Sequence, residues 1–430
     1  MPDEFLYGGP DVASPARQRR WIAAGLIMAA SGIGASDIII ATVGGATHGA
    51  RLLWALALGA FLKFLLSEGL ARWQLATGMT PLEGWARHLP QWVLPLFLTD
   101  LVVWAVAVSG ALVSGCGLAI ENLSGGAVPR AWGGLAHAAL AFALIVPGRT
   151  TWFMRVMRPL IAVMFVSIVV CAALTFREPM AVARGLLIPT IPGDAAAYVL
   201  SLVGGIGGSV TLLSYSYLLR DEGRVDARNL RAVRWDLAVA YLLTAVFGLS
   251  VMLIANRVFF TAGVAITDGT AVTRMAAQLG ELLGPAGFYI YSLGFWAAVV
   301  ASLVGVWQTV PSIFADGYSL WRRLAPEARA QAIRAEGMPH RAALIFMALA
   351  SAPFALLGRP VLVVVIFTVV GSLFVPFVAA TLLYLNNRVP WSAPVRHNGP
   401  ATNALLWLVL LLFVVIGALE ISALLHSPAG

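Results

Sequence analysis

Long apolar stretches alternate with short polar segments along nearly the whole chain. The apolar stretches lie near residues 21–47, 52–76, 91–120, 131–147, 152–176, 195–219, 232–256, 285–315, 341–357, 360–386 and 404–425. Crossing about 30 Å of hydrocarbon takes about 20 residues of helix. Each stretch is at or near that length, so the pattern predicts an all-α polytopic membrane protein with about eleven transmembrane helices. The polar segments are rich in arginine, with clusters at 220–234 and 322–341. With residues 1–20 placed on the cytoplasmic side, most arginines fall inside, and this bias sets the expected orientation. The expected location is the inner (plasma) membrane of a bacterial-type cell, with anionic lipid meeting the basic clusters.

Composition changes the picture only by exclusion. Of 430 residues, 60% are hydrophobic and 11% are charged, against roughly 25% charged in a soluble domain. A soluble enzyme, a disordered chain and a nucleic-acid binder are thereby excluded. The net charge of +8 follows from the arginine bias and calls for no nucleic acid. The two cysteines, Cys116 and Cys171, lie in apolar runs and form neither a disulfide framework nor a metal cluster. The first twenty residues are polar and do not read as a signal peptide.

Two spans carry an internal echo. Gly32-Ile33-Gly34-Ala35-Ser36 lies in the first span and Gly205-Ile206-Gly207-Gly208-Ser209 in the sixth. Glycine clusters weaken helices. At mid-membrane an unwound backbone persists only where protein or a water-filled cavity satisfies it. Five spans separate the two clusters, so the halves run in opposite directions. Inverted repeats of this kind are common in secondary transporters. The expected division is a first repeat over 21–176, a second over 195–386 and an extra helix over 404–425. Taken singly, each cluster also fits close helix packing; the pairing favours two facing breaks.

Several short segments, in order, resemble the natural resistance-associated macrophage protein (Nramp) family. They are Gly49-Ala50-Arg51-Leu52-Leu53-Trp54, Thr99-Asp100-Leu101, Ile206-Gly207-Gly208-Ser209-Val210, Ala315-Asp316-Gly317 and Val375-Pro376-Phe377. The resemblance covers about residues 20–390. It implies a LeuT-type 5+5 inverted repeat with helices 1 and 6 broken, and proton-coupled transport. The metal motifs are not retained. The positions matching Asp-Pro-Gly-Asn read Gly34-Ala35-Ser36-Asp37, and those matching Met-Pro-His read Thr211-Leu212-Leu213. A dehydrated transition metal needs several such donors together, so transition-metal transport is not expected.

What replaces the metal is read from the altered site. The bared backbone around Gly34–Asp37 looks like the carboxylate-binding break of amino-acid transporters of this fold. Aromatic side chains that could line spans 3, 6, 8 and 10 are Trp104, Tyr215, Tyr217, Phe295, Trp296, Trp307, Phe367 and Phe374. Amides for a carboxylate and aromatic faces for a quaternary ammonium together describe glycine betaine. The expected substrate site is Gly34, Ser36, Asp37, Trp104, Gly207, Gly208, Ser209, Thr211, Tyr215 and Trp296. The ionisable residues within spans, Asp37, Asp100 and Lys63, are candidates for proton coupling. For Asp37, capping of a half-helix is an equal possibility; Lys63 pairs with Asp37 or Asp100, replaces a coupling cation, or forms a structural pair with Glu68 or a neighbouring helix.

An amino acid, an amine or Mg²⁺ remains an alternative cargo. Enzymatic activity is not expected, since no nucleophile–base set or metal pair falls on one span. No cofactor, nucleotide-binding loop or obligate protein partner is called for.

Overall fold

The protein is described here by a computed structural model, which covers residues 23–148, 150–193, 195–264, 271–356, 360–391, 395 and 397–426. The polar segment 1–20 lies outside the described residues. Every regular element among them is helical. In chain order they are α1 (Ala23–Gly32), α2 (Ala35–His48), α3 (Leu53–Thr77), α4 (Pro81–His88), α5 (Val93–Leu123), α6 (Arg130–Ile145), α7 (Thr150–Thr175), α8 (Pro179–Leu187) and α9 (Ala196–Gly205). The second half holds α10 (Thr211–Asp221), α11 (Leu230–Ala255), α12 (Ala271–Leu283), α13 (Pro285–Trp321), α14 (Pro326–Ile333), α15 (Met338–Leu356), α16 (Pro360–Arg388) and α17 (Pro400–His426).

Each apolar stretch corresponds to one helix or to one interrupted helix. Among the described residues, six helical runs are long and apolar enough on their own to cross a membrane. The first and sixth spans are split, α1 from α2 and α9 from α10, so neither half reaches that length alone. Both interruptions fall on the glycine clusters. α13 packs along α7 and α5, and α11 packs along α2 and α3. The broken spans are enclosed by these long helices, with the buried apolar side chains forming one continuous core.

The half-helix α10 is tied to three neighbours by four successive residues. Ser214 Oγ donates to Thr309 Oγ1 of α13 at 2.9 Å, and Tyr215 Oη donates to Asp236 of α11 at 2.8 Å. The Ser216 carbonyl accepts from Gln74 of α3 at 3.0 Å, and Tyr217 Oη donates to Asp316 of α13 at 2.6 Å. A helix this polar is stable in an apolar interior because each of these groups has a partner.

Asp316 extends the network. It is fully buried and also accepts from Arg329 Nε of α14 at 2.6 Å. Arg329 in turn pairs with Glu83 of α4, and Glu83 closes a capping box with Thr80 at the start of α4. Burial alone would raise the Glu83 carboxyl. The hydrogen bond and charge of Arg329, with smaller help from the Thr80 N–H and Arg220, outweigh burial and hold it below its usual 4.5. A depressed carboxylate adds stability above its unfolded pKa, and that contribution is lost as pH falls through the folded value. Glu83→Gln should therefore lower stability by about 1–2 kcal/mol at pH 7. The gap should close on acidification below about pH 4, as read from thermal unfolding of the purified protein.

Candidate functional site

The two breaks meet. Gly32, ending α1, lies against the backbone of Gly207: a Cβ at Gly32 would stand 2.7 Å from the Gly207 carbonyl oxygen. Gly207 and Gly208 have φ of +79° and +77°, a region open to glycine at little cost. These positive φ values turn the chain out of α9 and into α10. The sequence echo thus becomes a physical contact at the centre of the bundle.

Asp37 staples this contact. Its Oδ2 accepts from the Gly34 N–H at 2.9 Å and its Oδ1 from the Gly207 N–H at 2.8 Å. One carboxylate therefore caps α2 and reaches across to the other break. Lys63 of α3, fully buried, donates from Nζ to the Gly208 carbonyl. Asp37 and Lys63 converge on adjacent residues of the second break, Gly207 and Gly208. An acid and an amine belonging to the chain thus occupy the free amide and carbonyl groups of the breaks.

Beside them lies a small cavity lined by Gly32, Gly34, Ser36, Trp104, Gly208 and Thr211, among others. It amounts to about 10 Å³, the space of one water molecule. Val108, Ala111, Leu112 and Val306 give it an apolar wall, and Ser31 and Ser302 complete it. Ser302 Oγ donates to the Ser31 carbonyl at 2.8 Å. Two buried hydroxyls at the site, Ser209 Oγ and Thr211 Oγ1, have no hydrogen-bond partner among the described residues. Gly371 of α16 closes the side by Ser209 and Trp104; a Cβ there would lie 2.7 Å from Ser209 Oγ.

Several expected site residues come together here: Gly34, Ser36, Asp37, Trp104, Gly207, Gly208, Ser209 and Thr211. Others do not. Tyr215 turns away to Asp236, and Trp296 donates to His137 Nε2 of α6 at 2.9 Å. Neither lines the cavity, so the aromatic cage reduces to Trp104. Trp307 bonds Ser109 at 3.1 Å, and Phe374 packs among Trp85, Phe97 and Phe377. The Phe367 side chain lies outside the described residues. The amides expected to take a substrate carboxylate are held by Asp37 instead. Glu68 is not the partner of Lys63; it pairs with Arg72 at 3.2 Å and Arg234 at 2.7 Å. Asp100 is half-buried on α5, and among the described residues it makes no hydrogen bond or ion pair with Asp37 or Lys63.

Ser31, Ser302 and Gly371 were not singled out from sequence. Ser302 carries a usable signal: a hydroxyl within an otherwise apolar span, where serine and threonine serve as interhelical donors. Gly371 carries none, since a lone glycine in a span looks like any packing contact. Because Trp296 sits away from the cavity, Trp296→Phe should leave solute uptake within about twofold of wild type, the loss being one hydrogen bond to His137.

No group of three or more His, Cys, Asp or Glu side chains capable of holding a metal is found among the described residues.

Comparison with known proteins identifies the family of this chain and its fold. A family model described as natural resistance-associated macrophage protein-like matches residues 25–423. A curated relative from Klebsiella pneumoniae subsp. pneumoniae, the divalent metal cation transporter MntH, is 26% identical over 275 residues, 60% of this chain and 63% of that protein. The match thus spans less than two thirds of that relative's length. The same transporter from another Klebsiella pneumoniae strain is 25% identical over 273 residues, with the same coverage. Among solved structures, a manganese transporter of Eremococcus coleocola in complex with an aromatic bis-isothiourea compound superposes with a TM-score of 0.68. It is 16% identical and covers 99% of this chain and 92% of its own. MhsT in complex with L-phenylalanine superposes with a TM-score of 0.64 at 14% identity, over 96% of this chain and 99% of its own. At these identities the two structures show a shared fold.

Proposed function

The chain belongs to the natural resistance-associated macrophage protein-like family, and from that membership we propose that it is a secondary active transporter whose cargo is a small solute of zero net charge. The observation that carries this reading is Lys63. Its ammonium lies in the break, bonded to the Gly208 carbonyl and next to the Gly207 N–H that Asp37 holds. The site's one acid and one base cancel. A cation entering the cavity would give up its water and meet no net negative charge, and such desolvation is not repaid by a site already neutral. Mg²⁺ and Ca²⁺ are bound through carboxylates, and transition metals through imidazole or sulfur as well. Among the described residues the only carboxylate here, Asp37, is engaged by two N–H groups.

A zwitterion meets the same site without that penalty. In glycine betaine the methylated ammonium would lie against the Trp104 face and the aliphatic wall, a contact worth roughly 0.5–2 kcal/mol. Its carboxylate would take the hydroxyls of Ser209 and Thr211. The present cavity holds about one water, so cargo enters when α1 and α10 move apart from α5 and α13. The reading divides the chain into repeats at 21–176 and 195–386 with an added helix at 404–425, rocking to alternate access. Asp37 and Lys63 form the pair through which a proton is exchanged, and Asp100 is a relay toward one side. The protein lies in the inner membrane with residues 1–20 in the cytoplasm. That the same fold accepts an organic zwitterion is supported by MhsT, solved with L-phenylalanine.

A divalent metal is the second reading, favoured by the relatives: MntH is a divalent metal cation transporter and the Eremococcus coleocola protein a manganese transporter. Uptake into proteoliposomes, with and without an inward proton gradient, separates the two. Labelled glycine betaine should accumulate and Mn²⁺ and Mg²⁺ should not. Gradient-driven Mn²⁺ accumulation with no betaine uptake would establish the metal reading instead.

A further inference from the structure

A second pocket, of about 550 Å³, opens at the end of the bundle opposite α4 and α14. It is lined by His48 at the end of α2, Arg51 in the turn to α3, Glu178 and Arg184 around α8, and Asn256 and Phe260 at the end of α11. None of these residues belongs to the cavity between the breaks. Asn256 and Phe260 lie on a single π-helical turn, 256–260, a distortion found often at functional sites.

Two features mark the pocket as a place for a ligand. The first is His48. It is 5% exposed, its ring is held edge-on against Tyr198 at 5.1 Å, and its buried Nε2 has no hydrogen-bond partner among the described residues. His48 lines the pocket, and an unpartnered ring nitrogen buried at its inner wall is costly until a ligand entering the pocket meets it. The second is charge. Two exposed guanidiniums, Arg51 and Arg184, line the pocket with one carboxylate, Glu178, so the lining favours an oxyanion.

The rim indicates the source of that oxyanion. Beside Arg184, α8 and the segment after it expose Met180, Leu187, Ile188 and Ile191, and Phe260 is 42% exposed. Trp54 at the start of α3 donates from Nε1 to the Thr190 carbonyl at 3.1 Å. A short amphipathic helix with apolar residues outward, arginine beside them and tryptophan at the same level is the signature of a membrane interface. A water-soluble anion would gain nothing from this apolar rim; acyl chains would.

We propose that this pocket binds the headgroup phosphate of an anionic phospholipid, with Arg51 and Arg184 on its oxygens and His48 Nε2–H as the inner donor. The acyl chains lie along α8 and Phe260. The site holds the far end of α2, whose near end carries Asp37, so an occupied pocket pins one end of the half-helix that forms the breaks.

The test uses the full-length protein in detergent, with added phosphatidylglycerol, phosphatidylcholine or inorganic phosphate. Retained lipid is counted by native mass spectrometry, and affinity is taken from the lipid dependence of thermal unfolding. Phosphatidylglycerol should be retained and raise the unfolding temperature, and inorganic phosphate should not protect. In Arg51→Gln/Arg184→Gln, phosphatidylglycerol should bind about tenfold more weakly. Both arginines are exposed, so this variant folds independently of the outcome. His48→Gln keeps a side-chain N–H and should bind more tightly than His48→Leu. Equal protection by phosphatidylcholine or by inorganic phosphate would overturn the proposal, as would unchanged phosphatidylglycerol binding in the double arginine variant. None of these readouts depends on which cargo is carried.

Discussion

Lys63→Met should abolish solute uptake and destabilise the protein. Methionine fills much of the same volume, so packing is largely kept and the change is one of charge. Asp37 is 4% exposed, and without the ammonium it becomes an uncompensated buried charge, a loss of about 3–5 kcal/mol. The Gly208 carbonyl loses its donor at the same time. A site that was neutral becomes negative, so the variant should also gain a cation-dependent stabilisation absent from wild type. The partner substitution completes the test. Asp37→Asn alone breaks one of the two bonds to the Gly34 and Gly207 N–H groups and leaves Lys63 unpaired. Combining Asp37→Asn with Lys63→Met should be less destabilising than the sum of the singles by about 1–3 kcal/mol, the coupling expected for residues in one network. Thermal unfolding of the four proteins checks this, and strict additivity would show the two residues to be independent.

Gly32→Ala should reduce uptake by about a hundredfold, comparable to losing the geometry of a positioned site. The added Cβ would sit 2.7 Å from the Gly207 carbonyl oxygen and 2.8 Å from its carbon. Both are backbone atoms, so no side chain can swing aside. The breaks must move apart, and overpacking of this kind costs about 1–3 kcal/mol. Asp37 cannot then span both N–H groups. Gly193→Ala is the matched control, since a Cβ there meets nothing within 4 Å; its uptake should equal wild type. If Gly32→Ala transports normally, the contact between the breaks is not part of the site.

The long-range order of this fold was legible because hydropathy and glycine act locally. Each apolar stretch became a helix, and both glycine clusters became breaks. Asp37 was also readable: three residues after Gly34, it reaches back to cap α2, as an N-terminal acid does. Which face a side chain occupies was not readable in the same way. Nearly every position in a buried span is apolar, so the helical period carries little information about direction. Trp104 and Trp296 look equivalent in sequence, yet one lines the cavity and the other bonds His137. Tyr215 and Tyr217 stand two residues apart, on different sides of α10, and each found a buried acid on another helix. Pairings across long separations escaped for the same reason. Lys63 and Gly208 are 145 positions apart, and nothing near Lys63 signals that a bare carbonyl awaits it. Glu68 stood closer in sequence and was drawn off by Arg72 and Arg234, which lie on its own helix and on α11.

The decisive measurement is calorimetric titration of the purified wild-type protein with Mn²⁺ and, separately, with glycine betaine. If the ammonium of Lys63 fills the cation's place, Mn²⁺ should give no saturable heat and betaine should bind at one site that is lost in Ser209→Ala/Thr211→Ala. Saturable Mn²⁺ binding in wild type that vanishes in Asp37→Asn would contradict the account and place a metal between the breaks.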